Sequence, residues 1–214
     1  MESLIQGQDE FEKGRWEEAL ACVEDALIDN PKNAEAHALA AQIYAQQGFG
    51  ELSRKHLEAA HAFAPETLSY AFALVDDYLN AGDAVSALSH LQIVFAQPDT
   101  VHRLTPVLAR LGQCFFFLGQ WQDALRAFLE VLSQAVEETS TYTALLYALE
   151  ITFRQQQYDQ AMLILQSVPT AHMSDLLSSL WKMYWARVCY WRGDFVQARH
   201  HWQAVLDQGF NEQA

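Results

Sequence analysis

Six times along this chain a small residue returns at a near-constant interval. Ala19, Ser53, Ala87, Ala124, Ala161 and Ala198 are separated by 34, 34, 37, 37 and 37 residues. Five residues before them stand Gly14, Gly48, Gly82, Gly119, Gln156 and Gly193; four residues after them come Val23, Leu57, Leu91, Phe128, Leu165 and Trp202. Three further on are Ala26, Ala60, Val94, Val131, Val168 and Val205. A period of this length commits the chain to one supersecondary unit used repeatedly, each copy covering the apolar face of the next. The second half of each copy has apolar residues at i, i+4 and i+7, the spacing of one helix face. The first half is helical too, as in Leu74, Val75, Tyr78 and in Leu108, Leu111, Phe115. No strand-like alternation competes, so the chain is expected to be all-α.

The residues between the helices specify how each pair closes. Glycine adopts turn conformations that cost a residue bearing a Cβ. Gln156 breaks that rule, so the fifth turn is expected to differ in shape. Pro31, Pro65, Pro98 and Pro169 stop second helices through a missing N–H and a fixed φ. Pro106, behind Thr105, fits the first turn of a helix capped by Thr105. That puts the three extra residues of the 37-residue spacing in the connections, around Val101 to Leu104. Ser140 and Ser174 are the expected caps of the next two first helices. The small residue opening each second helix lets two helices approach, and the bulky residue four later fills the adjacent gap.

This pattern resembles the tetratricopeptide repeat family, a helix–turn–helix of about 34 residues. Small residues at the family's eighth position are Gly7, Ala41, Gly112 and Ala186, with Val75 and Leu149 departing from it. The aromatic at the eleventh is met by Tyr44, Tyr78 and Phe115, and the one following the turn glycine by Trp16, Trp121, Tyr158 and Phe195. The resemblance implies an α-solenoid of six repeats in a right-handed superhelix, a single array over 1–214. Its repeats span about 1–33, 34–67, 68–104, 105–141, 142–178 and 179–214. It also implies an extended peptide or short helix held in a concave groove.

At 100° per residue, the first-helix positions facing away from the second helix form the candidate groove. They are Leu4, Gln8, Phe11, Gln42, Phe72, Asp76, Asn80, Gln113, Phe116, Phe117, Glu150, Phe153, Arg187, Tyr190 and Trp191. The set is aromatic and amide-rich, with acids early and bases late. Two readings stand: a surface that captures an apolar segment, or side chains buried against one another in a tight superhelix. Family modules that clamp a terminal carboxylate carry Lys or Arg at two groove positions of the early repeats. Here Leu4, Gln8, Ala38, Gln42, Phe72 and Asp76 fill those places, so such a clamp is not expected.

Charge narrows the partners. Net charge is −14, with 27 acids against 13 bases, which disfavours nucleic acid and anionic membrane surfaces. Residues 1–67 carry −8, 68–141 carry −5 and 142–214 carry −1. No apolar leader core, membrane-length run, phosphate-cradling loop, nucleophile elbow or zinc spacing is present, so no catalytic residue, metal or cofactor is assigned. Cys22, Cys114 and Cys189 read as small buried hydrophobes. A cytoplasmic address and no enzymatic activity are expected. The leading function is a module binding an apolar peptide or helix, such as a chaperone or assembly adaptor. Its groove is similar in character to the repeat chaperones of type III secretion translocators. One alternative is a scaffold that oligomerises through its C-terminal repeat, where Trp181, Tyr184, Trp185, Tyr190, Trp191, Phe195 and Trp202 crowd. Another is a regulator whose acidic half reads a basic peptide.

Overall fold

The computed structural model describes residues 2–95, 104–134, 138–168 and 173–211, and among these every regular element is a helix. The helices are α1 (Glu2–Glu12), α2 (Trp16–Asp29), α3 (Ala34–Gln46), α4 (Gly50–Phe63), α5 (Leu68–Asn80) and α6 (Ala84–Phe95). They continue as α7 (Leu104–Phe117), α8 (Trp121–Gln134), α9 (Glu138–Arg154), α10 (Tyr158–Ser167), α11 (Asp175–Trp191) and α12 (Phe195–Asn211). The chain forms two compact units, Met1–Thr100 and Val101–Ala214, each a short α-solenoid of three helix pairs.

In unit one, α1 packs on α2, α3 on α4 and α5 on α6, and the pairs join through α2 with α3 and α4 with α5. The core between the first two pairs is built from small residues: Ala19, Val23, Ala26, Ala36, Leu39, Ala40 and Ile43 are all buried. In unit two, α7 pairs with α8, α9 with α10 and α11 with α12, and the first helices also touch in the order α7, α9, α11. Its core is bulkier, with Phe128, Val131, Leu145, Leu149, Ile151 and Leu165 fully buried. The contact between α7 and α8 is close. A Cβ at Gly112 would lie 2.5 Å from the ring of buried Phe128, so only glycine fits.

The turns inside the pairs are built alike. Gly119 has φ 74°; its N–H donates to the Phe116 carbonyl at 3.1 Å and the Gln120 N–H to the Phe115 carbonyl at 2.8 Å. This is the two-bond closure of a helix C-terminus through a left-handed residue. Gln156 does the same. Its φ is 57°, its N–H donates to the Phe153 carbonyl at 3.1 Å and the Gln157 N–H to the Thr152 carbonyl at 2.8 Å. The expectation of a differently shaped fifth turn is therefore corrected. Packing on both sides holds the chain in a conformation that costs a Cβ-bearing residue about 1–2 kcal/mol.

Two further expectations change. Helices α9 and α11 are 17 residues long, against 13 for α3 and α5. In those two repeats the first helix begins further ahead of its turn, at Glu138 and Asp175. Ser140 accordingly lies inside α9 and is buried, not at a cap. Ser174 does cap α11, its side chain accepting the Leu177 N–H at 3.3 Å. Pro106 sits in the first turn of α7, but Thr105 is already within that helix and its hydroxyl donates to Gln134 Oε1 at 3.0 Å. Pro31 and Pro65 follow the ends of α2 and α4. Pro98, Pro169 and the stretch 101–103 lie outside the described residues.

These contacts give a pair of opposite predictions. Gly112→Ala forces the Phe128 ring aside and is expected to destabilise the protein by about 1–3 kcal/mol. Gln156→Gly removes the left-handed penalty at the modest entropic cost of glycine, and is expected to stabilise it by up to about 1 kcal/mol. Denaturant melts of the two variants against wild type check both signs.

Candidate functional site

One pairing recurs beside the turns. The aromatic that opens a second helix meets the aromatic five residues earlier, near the end of the first. Phe11 meets Trp16 at 5.2 Å between ring centroids, Phe116 meets Trp121 at 5.9 Å, Phe153 meets Tyr158 at 5.6 Å and Tyr190 meets Phe195 at 5.5 Å. Four of the expected groove residues thus brace the turn, each ring covering one side of its partner.

In unit two the first helices α7, α9 and α11 touch in order, and several of the expected residues meet across them. Phe117 is half exposed, at 50%. Its ring lies edge-on to Phe116 at 5.5 Å, and both reach Tyr147 of α9, at 6.2 Å and 4.8 Å. Tyr147 in turn stacks on Phe128 at 5.6 Å, which ties this edge of the face to the core. The Arg154 guanidinium sits 5.2 Å from the Phe116 ring centre and 5.3 Å from that of Trp121, within cation–π range. Its Nε donates to Glu150 Oε1 at 2.9 Å. Next along the face, Arg187 of α11 lies 4.3 Å over Phe153 and 4.8 Å over Tyr184. Burial pushes the Tyr184 hydroxyl up, and the neighbouring Arg187 charge pulls the other way. Trp191, 58% exposed, stacks face to face on Tyr158 at 5.5 Å.

Gln113 is half-buried on α7, one turn ahead of Phe116 and Phe117. Tyr190 turns towards α12, where it meets Trp202 at 5.8 Å as well as Phe195. Tyr147 and Tyr184 complete the face although neither was among the expected residues. Tyr147 lies three residues before Glu150, and Tyr184 three before Arg187, so each shares a helix side with an expected residue.

The unit-one members have a different character. Leu4 and Phe11 are half-buried against the core of the first two pairs. Gln8, Gln42 and Asn80 are exposed, and Gln8 Nε2 donates to Glu12 at 3.4 Å. Phe72 and Asp76 are half-buried on α5. Behind them lies a layer of polar rings. His37 and His56 share a hydrogen bond of 3.0 Å between their Nδ1 atoms, so one must donate and the other accept. The Tyr78 hydroxyl donates to Glu58 at 2.9 Å while its ring stacks on His90 at 5.2 Å and lies beneath Arg54 at 4.8 Å. Arg54 Nε donates to Asp77 at 2.6 Å. The Nδ1 atoms of His61 and His90 are buried without a hydrogen-bond partner.

Among the described residues no group of three or more His, Cys, Asp or Glu side chains is placed to hold a metal ion, and no helix is long and apolar enough to cross a membrane. His200 and His201 are neighbours on α12 with ring centroids 5.6 Å apart, and His201 packs towards Trp181 and Trp185.

The tetratricopeptide repeat pattern matches residues 5–67 and 109–175. The chain belongs to the tetratricopeptide repeat family. Among solved structures it is similar to PilF of Pseudomonas aeruginosa, at 15% identity and TM-score 0.72, over 99% of this chain and 96% of that one. It is also similar to PilW, a type IV pilus biogenesis factor, at 15% identity and TM-score 0.75, over 98% and 92%. A third is YrrB, described as a tetratricopeptide protein with an unusual peptide-binding site, at 17% identity and TM-score 0.62, over 94% and 90%. Identities this low establish the fold alone. No curated protein sequence matches the chain. Proteins of this family are generally interaction modules for protein or peptide partners.

The histidines of unit one carry a pH prediction. Burial pushes His56 and His61 below the ordinary histidine value, and the charges of His37 and His90 push the same way. Unfolded histidine binds a proton near pH ~6.5. The stability these groups contribute is therefore full above that pH and is lost as pH falls from there through their lower folded values. Melting temperature is expected to drop between pH 7 and pH 5, and to drop less in His56→Gln/His61→Gln. Equal slopes would assign the loss to other groups.

Proposed function

We propose that this protein is a non-enzymatic adaptor or chaperone that holds an apolar segment of a partner protein on the inner face of unit two. The observation that carries this reading is the exposure of Phe117 and Trp191 on a braced aromatic floor. Large aromatics held rigid before binding lose little side-chain freedom when a partner covers them. The side chains beneath them are engaged in ring contacts, so the face combines a preformed floor with two free anchors. An extended strand of peptide or one face of a short helix matches a surface lined by three parallel first helices. The likeness to a protein described as having a peptide-binding site agrees with this reading without specifying the partner.

A second reading has its own observation. Phe195, Val196, Trp202 and Leu206 of α12 are exposed at 62%, 79%, 40% and 55%. Phe195, Trp202 and Leu206 recur at i, i+7 and i+11, which aligns them on one stripe of the helix. Such a stripe suits docking onto another protein or a second copy of this one. If a second copy docks there, light scattering gives a dimer mass; the first reading gives a monomer mass.

The direct test is selection of a displayed peptide library on the full chain. An apolar consensus is expected, and Phe117→Asp is expected to weaken the selected peptides at least about tenfold, the loss of roughly 1.4 kcal/mol of binding. Because Phe117 is half exposed, the melting temperature of that variant should stay close to wild type. Undiminished binding by Phe117→Asp would remove the inner face from the function.

A further inference from the structure

Arg187 of α11 lies over two aromatic rings of unit two and, among the described residues, has no acidic partner within ion-pair distance. Two other arginines of unit two are matched: Arg154 pairs with Glu150 at 2.9 Å and Arg192 with Asp159 at 2.8 Å. Among the described residues Arg187 makes no ion pair. Its guanidinium is held over Phe153 at 4.3 Å and over Tyr184 at 4.8 Å. It is half-buried, and its guanidinium is a planar fork of N–H donors.

A half-buried charge that gives up hydration without gaining a counter-charge is unfavourable. The two rings recover part of that loss and also fix the plane of the fork. Beyond a contact with the Tyr184 hydroxyl, the guanidinium offers a fork whose geometry matches a carboxylate, which arginine grips through two parallel bonds. Glu150 of α9, whose charge also acts on Tyr184, has its carboxylate engaged with Arg154. The surroundings also favour an acid here more than elsewhere in the chain. Residues 142–214 carry a net charge of only −1, against −8 for residues 1–67.

We propose that Arg187 reads an acidic side chain, Asp or Glu, within the apolar segment bound on the inner face of unit two. This rests on the peptide-binding reading above and adds the partner's charge to it. The bound segment carries apolar residues over Phe117 and Trp191, with one carboxylate between them gripped by Arg187. An internal side chain is chosen over a chain terminus because the exposed aromatics lie on two different first helices, Phe117 on α7 and Trp191 on α11 one turn beyond Arg187. A segment that covers both extends past the carboxylate held by Arg187.

The test uses the full chain and synthetic 12-residue peptides of apolar and aromatic sequence with one central Glu, acetylated and amidated, each paired with its Gln counterpart. Affinities are measured by titration calorimetry for wild type, Arg187→Gln, Arg187→Lys and Phe117→Asp, with melting curves for each. Wild type is expected to prefer Glu peptides about tenfold, the scale of one charge-assisted bidentate contact. That preference should vanish in Arg187→Gln and survive in part in Arg187→Lys, which keeps the charge but not the fork. Should Arg187→Gln fail to fold, the partial preference of Arg187→Lys carries the test. Phe117→Asp should weaken Glu and Gln peptides alike and leave their ratio intact. Equal wild-type affinity for Glu and Gln peptides overturns the role of Arg187 and leaves the apolar face standing. Binding that needs a free C-terminal carboxylate overturns it in favour of terminus capture. Failure of every peptide to bind, or no effect of Phe117→Asp, overturns the peptide-binding reading and this inference with it.

Discussion

A single residue in the left-handed conformation closes each helix pair, and most of the structure follows from that closure. It ends the first helix with two backbone hydrogen bonds, as at Gly119 and Gln156, and reverses the chain within a few residues. The reversal returns the residue five positions later onto the helix it left. Four aromatic pairs exploit that return, from Phe11 with Trp16 to Tyr190 with Phe195. Once the turn has set the separation, small residues such as Gly112 and Ala124 become necessary, because the partner helix stands too near for a larger side chain.

The two units solve the same packing problem with different materials. Between the first two pairs of unit one, buried alanines allow close approach, and the half-buried layer beside them holds histidines and a tyrosine joined by polar contacts. That layer depends on neutral imidazoles, so its strength follows pH. Unit two fills its core with Phe128 and branched aliphatics and spreads aromatic rings from that core out to the surface. Tyr147 links the two levels, stacked on Phe128 beneath and touching Phe116 and Phe117 above. A surface residue supported in this way keeps its position before any partner arrives, which favours binding with little ordering cost.

The repeat and the helix pairs were legible because each depends on period and on 100° per residue. The reading failed where two weak local preferences competed with packing. Gln156 was expected to reshape its turn, yet the contacts of α9 with α10 outweigh the penalty of about 1–2 kcal/mol for its left-handed backbone. Ser140 looked like a cap, but burying its helix face extended α9 back to Glu138. For the site, geometry along one helix selected Phe116, Phe117, Phe153 and Arg187 together. It did not reveal that Phe116 and Phe153 are partly covered by Tyr147, Tyr158 and Tyr184, since those rings arrive from other helices or other turns.

By itself, the sequence determined that this chain is an array of paired helices with first helices rich in aromatics and an acidic N-terminal half, because periodicity and charge are properties of single residues and their spacing. Only the tertiary structure decided which rings are braced and which are exposed, and which of Arg154, Arg187 and Arg192 stand beside a carboxylate. Arg154, Arg187 and Arg192 look equivalent as letters. The structure sets two of them beside a carboxylate and the third over two aromatic rings, and a pairing of charges depends on distance between helices, which sequence spacing along one helix does not contain.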